Sequence, residues 1–170
     1  MSRALTTSQH FSATGRDGRL LLYNACYDGE EDYVRFLLAS GADINAKSED
    51  ANAATPLVAA AQNGHGRVVD ILLAADVNVN IAGDDGRSPL QRASGNGHVA
   101  IVRRLLASGI DLCAACDQGR ASLSIAGQQG HVEIVKCLLS AGVKVDGEFE
   151  GWNFLTLAAV AGHVNVVLCM

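Results

Sequence analysis

One dipeptide, spaced almost evenly, restricts the possible folds of this chain more than any other feature. Gly-His occurs as Gly64-His65, Gly97-His98, Gly130-His131 and Gly162-His163, at intervals of 33, 33 and 32 in a chain of 170 residues. A fixed period of this length describes an array of supersecondary units, each too small to bury its own apolar face. Other columns keep the step. Leu22, Leu57, Leu90, Leu123 and Leu155 stand seven residues before Gly29, Gly64, Gly97, Gly130 and Gly162, and Ala25, Ala60, Ala93, Ala126 and Ala158 form a second column between them.

The chemistry of one unit is readable in the second copy. Thr55 is suited to cap a helix whose first residue is Pro56, because that position needs no backbone N–H. Gly64, which accepts the left-handed conformation without a Cβ penalty, ends the helix and turns the chain. A second helix then carries apolar residues at i, i+3 and i+4, as in Val34, Leu37, Leu38 or Val135, Leu138, Leu139, and stops near Gly41, Gly109 or Gly142. Two such short helices are marginal alone in water, so stability must come from stacking on neighbours. The Ala column fits that stacking, since helices about 8–10 Å apart leave room only for small side chains between them.

These residues resemble the ankyrin repeat, whose pattern runs D-G-x-T-P-L-H-x-A-A-x-x-G-H, then V-x-x-L-L, then G-A-D-V-N. The best matches are TPL with GH in 55–65, DGRSPL with GNGH in 85–98, GHVEIVKCLLSAG in 130–142 and LLASGADIN in 37–45. The resemblance implies an all-α ankyrin-repeat solenoid of stacked helix-turn-helix units joined by β-hairpin-like loops. It places repeats at 17–46, 52–81, 85–114, 118–147 and an incomplete 150–170, after a polar leading segment 1–16. The chain also departs from the pattern. The family's histidine after Thr-Pro-Leu is replaced by Tyr23, Val58, Gln91, Ser124 and Thr156, which predicts individually weaker repeats. Two residues are inserted before Thr55, within KSEDANAA, and Asp76 occupies a position where other copies have glycine, forcing it toward the left-handed region. Residues Val166 to Met170 stop inside a helix without a polar cap, as expected of a fragment or of a last repeat that docks on something.

Composition narrows the function. Thirteen Lys and Arg against eighteen Asp and Glu, a net charge of −5, give no basic footprint for nucleic acid. No run of 18 apolar residues crosses a bilayer, and the leading residues have no apolar signal core. Five irregularly spaced cysteines argue against a disulfide framework, so a reduced, cytoplasmic or nuclear protein is expected.

Candidate chemistry is sparse. His65, His98, His131 and His163 lie one repeat apart, too far for zinc–nitrogen bonds of about 2.0–2.1 Å to converge. They are expected to be satisfied by local hydrogen bonds. Cys113 and Cys116 have half the spacing of a zinc site but fall in an inter-repeat hairpin, and Cys137 and Cys169 read as packing residues in the column of Phe36 and Ile71. The GxGxxA match at Gly95–Ala100 follows a helix, not the strand a dinucleotide site requires. Acidic runs such as Glu30-Glu31-Asp32 suit helix starts. No nucleophile, base and orienting group assemble, so no catalytic residue, metal or cofactor is expected.

What remains is binding. Solenoids of this kind bind through a concave surface of first helices and hairpin tips. The position after each tip glycine or its equivalent holds Arg19, Ala54, Arg87, Arg120 and Trp152; the arginines either contact a partner or pair with Asp17, Asp85 and Asp117. Tyr27, Asp28, Gln62, Asn63, Arg92, Asn96, Gln128 and Gln129 are the variable first-helix positions, together with Asn24. Of Phe149 and Trp152, one is expected to cover the last core and one to make contact. The expectation is a non-catalytic module that binds another protein. The alternatives are a recruiting or autoinhibitory domain of a larger kinase, ubiquitin ligase or acyltransferase, and a stand-alone kinase inhibitor.

Overall fold

Helix starts follow the Thr-Pro and Ser-Pro pairs. In the computed structural model, which describes residues 16–48, 53–110, 112, 116–143, 148–149 and 152–153, α3 (Pro56–Asn63) and α5 (Pro89–Gly95) begin at their prolines. Thr55 Oγ1 accepts the Val58 N–H, and Ser88 forms a full capping box with Gln91. Gln91, standing where the family has histidine, thus closes the helix start by another route.

Each first helix pairs with a second: α1 (Arg16–Asp28) with α2 (Glu31–Ala39), α3 with α4 (Gly66–Ala74), α5 with α6 (Val99–Ala107), and α7 (Cys116–Gln128) with α8 (Val132–Ser140). First helices stack on first helices and second on second, giving two layers that share one continuous core. The Leu and Ala columns form its spine: Leu22, Leu57, Leu90 and Leu123 are buried, as are Ala25, Ala60, Ala93 and Ala126. The turn residues Gly29, Gly64, Gly97 and Gly130 all have positive φ, and Asp76 takes φ 56, as its place in the glycine column requires.

The copies without proline behave differently. α1 and α7 run for 13 residues against 8 and 7 for α3 and α5. With Leu21 and Ser122 at the proline position, nothing forbids helix N-terminal to it, and the segments expected to turn as hairpin tips continue as helix instead. Arg19 and Arg120 therefore lie on helices, and Cys116 opens α7 instead of sitting in a hairpin. Gly119 is accommodated inside α7, where an added Cβ would stand 3.1 Å from Val143 Cγ2.

True tips form at the other junctions. Gly83 N–H donates to the Arg87 carbonyl, enclosing residues 84–86, and Ser48 N–H donates to the Ala54 carbonyl. Ala54 is buried, and residues 49–52, within the stretch that carries the insertion, lie outside the described residues. The last junction shows a short antiparallel pair, β1 (Glu148–Phe149) with β2 (Trp152–Asn153). Repeat-to-repeat bonds link the tips: Asn78 N–H donates to Asn45 Oδ1, and Lys47 pairs with Asp84 at 2.7 Å. The uncapped end at 166–170 and Cys169 lie outside the described residues.

Candidate interaction surface

The histidine column is not satisfied locally. His65 Nε2 donates to the carbonyl of Tyr27 at 2.8 Å, His98 Nε2 to that of Gln62 at 3.0 Å, and His131 Nε2 to that of Gly95 at 3.2 Å. A carbonyl only accepts, so Nε2 carries the proton in each. The acceptors are equivalent residues in the last turn of the preceding first helix, where carbonyls have no intrahelical partner. Among the described residues, His65, His98 and His131 therefore each staple a repeat to the one before it. Asn63 and Asn96 assist, donating side-chain N–H to the same carbonyls at 3.2 and 2.8 Å.

That finding divides the residues expected to contact a partner. Asn63 and Asn96 hold the array together, and Arg92, largely buried, is ion-paired with Asp85. Asp85 Oδ1 also accepts the backbone N–H of Arg87, so this acid is committed to the fold and does not pair with the Arg87 side chain. Among the described side chains of that column, Arg87 alone keeps a tip position and is exposed. Tyr27, Asp28, Asn24 and Arg19 are exposed on α1, Gln128 on α7 and Gln129 in the turn after it, whereas Gln62 and Arg120 are half-buried. Trp152 pairs with Phe149 across the last hairpin, and both side chains lie outside the described residues, as do those of Asp17, Asp117, Cys113 and Cys116.

Reasoning from the sequence missed a second surface. Phe36, read there as a packing residue, is 55% exposed, and Leu20 is 52% exposed. The signal was available in the columns: Leu20 aligns with Thr55, and Glu30 with His65.

On the second-helix layer, Arg67 approaches Glu31 at 3.8 Å and Arg104 pairs with Asp70 at 2.6 Å across successive repeats. Arg103 Nε donates to Cys137 Sγ at 3.4 Å, which raises the pKa of the guanidinium, while the Lys136 ammonium lowers that of Glu133. These groups line an open groove of about 500 Å³ between α6 and α8. Among the described residues no three His, Cys, Asp or Glu side chains are grouped to hold a metal ion, and no helix is long and apolar enough to cross a membrane.

The paired helices, the turn glycines and the backward histidine staples define a helical-repeat solenoid. A family model described as ankyrin repeats (3 copies) matches residues 22–116 and 112–170, and the chain belongs to that family. No curated protein matches it. Ankyrin repeats are generally non-catalytic modules for protein–protein interaction.

Proposed function

We propose that this chain is a non-catalytic module that holds another protein or peptide against its first-helix layer and the tip at Arg87, without metal or cofactor. Its setting is cytoplasmic or nuclear, where its thiols stay reduced. The supporting observation is the contrast between columns: core and staple positions repeat, while the exposed positions Asn24, Tyr27, Asp28 and Gln128 on first helices and Gln129 in the turn after one carry non-repeating chemistry on a fixed backbone. Tyr and Arg are the side chains that most often dominate interfaces.

The test compares proteins retained from a lysate by the full chain and by a Tyr27→Ala, Arg87→Glu, Gln129→Ala variant with the same melting temperature. Retention by the wild type and loss by the variant supports this surface. Equal retention by both overturns it.

A further inference from the structure

Two asparagines of the chain precede glycine, and the fold holds them differently. Asn63-Gly64-His65 and Asn96-Gly97-His98 repeat the same three residues. A following glycine exposes an asparagine to attack from its own main chain, because no side chain keeps the next backbone nitrogen away from the side-chain carbonyl carbon.

Asn63 is the last residue of α3 and is half-buried. Its Nδ2 donates to the carbonyls of Tyr27 and Ala59, both at 3.2 Å, and the Gly64 N–H donates to the Ala60 carbonyl. The nitrogen that would attack and the group it would attack are both tied down. In the third repeat Gly95 stands where the second has Gln62, and α5 ends there, one position earlier than α3. Asn96 thus lies beyond the helix at φ −94 and ψ 4 and is exposed. Its side chain makes a single bond, to the Gln62 carbonyl at 2.8 Å. Among the described residues the Gly97 N–H has no hydrogen-bond partner.

We propose that Asn96 is a site of spontaneous deamidation that loosens the third repeat from its neighbours. Once the side chain leaves Gln62, the Gly97 nitrogen gives up its proton to solvent and bonds to Asn96 Cγ. The Cγ–Nδ2 bond breaks and ammonia leaves. Water then opens the cyclic imide at either carbonyl, giving aspartate or its isoaspartyl isomer. One water is consumed and one ammonia released, with no oxidant or reductant. Both products carry a carboxylate, which only accepts, so the Gln62 carbonyl keeps His98 and loses its second donor. The isoaspartyl form also adds a methylene to the main chain directly after Gly95, whose carbonyl accepts the His131 staple. One hydrolysis therefore acts on the joints before and after this repeat. No partner is needed, so this chemistry is independent of the surface proposed above.

The experiment ages the full chain at mildly alkaline pH and follows each asparagine by peptide mass spectrometry, beside a sample in concentrated urea. The two sites share the residues that follow them, so in urea they should convert at the same rate within twofold. In the folded chain Asn96 is expected to convert at least fivefold faster than Asn63. The deamidated chain, separated by its added negative charge, should melt about 2–4 °C below the fresh one. Asn96→Asp should reproduce the direction of that shift. Equal rates in the folded chain, or faster conversion at Asn63, overturns the assignment of the site. A deamidated chain that melts with the fresh one overturns the loosening. If Asn96→Asp does not fold, the two rates and the melting of the aged wild-type chain still decide.

Discussion

Gly97 answers to two constraints at once. Its φ of 78 favours glycine, and a Cβ there would stand 2.8 Å from His131 Cε1, inside the staple of the next repeat. Gly97→Ala is expected to cost about 2–3 kcal/mol, roughly 1 of it from the left-handed backbone and the rest from displacing the ring. His131→Ala should cost about 1–2 kcal/mol by orphaning the Gly95 carbonyl. The double variant should lose less than the sum, since removing the ring removes the clash; urea unfolding of all three measures this. The Gly-His spacing was legible in the sequence, but the acceptor was not. His131 finds a carbonyl 36 residues away because helix ends from different repeats are brought edge to edge, which no local pattern records. Cys26 offers a second test at this scale. Burial pushes its thiol up to about 12 from an ordinary value near 9. Between those values the folded chain keeps a proton that the unfolded chain releases, so stability falls as pH rises from 9 toward 12. The slope is at most about 1.4 kcal/mol per pH unit. Cys26→Ala should flatten that slope in denaturation curves taken from pH 8 to 11.

Helix lengths in the array depend on a single residue. Pro56 and Pro89 stop helix growth backward, and where Leu21 and Ser122 replace them the helix absorbs the preceding turn. Ala121→Thr with Ser122→Pro is therefore expected to restart α7 at residue 122. Amide protons of 117–121 should then exchange quickly, as in a tip. Stability should rise by about 1 kcal/mol, because a capping hydroxyl is gained and the buried Ser122 hydroxyl, which has no hydrogen-bond partner, is removed. Unchanged protection of 117–121 overturns this account. The proline-marked starts were correctly read from sequence. The tips at 17–19 and 117–120 were misread because they were assigned by alignment with the 85–87 column, whose turn depends on a proline that those copies lack. The same reasoning explains why Arg87 projects from a tip and Arg120 lies along a helix.

Among the described residues the main helix contacts run between neighbouring repeats, so damage at one joint divides the array. Ala93 is wholly buried between helices, and Ala93→Leu inserts volume where the layers are closest. Calorimetry should show one transition replaced by two, or a midpoint lowered by the equivalent of about 2–3 kcal/mol. An unchanged single transition contradicts the packing described. Dialysis against EDTA should leave the midpoint unmoved, because no described side-chain group is arranged to hold a metal. At this scale the period made the architecture legible, whereas the exposure of Phe36 was not, because a column shows what a residue replaces and not how much of it stays accessible. The staples also have a sense of direction. His65, His98 and His131 each donate to a carbonyl that lies earlier in the chain, at Tyr27, Gln62 and Gly95, while His163 lies outside the described residues. During synthesis on the ribosome, each emerging repeat therefore meets an acceptor that has already been made, and the array can consolidate from its first residues onward without waiting for those still to come.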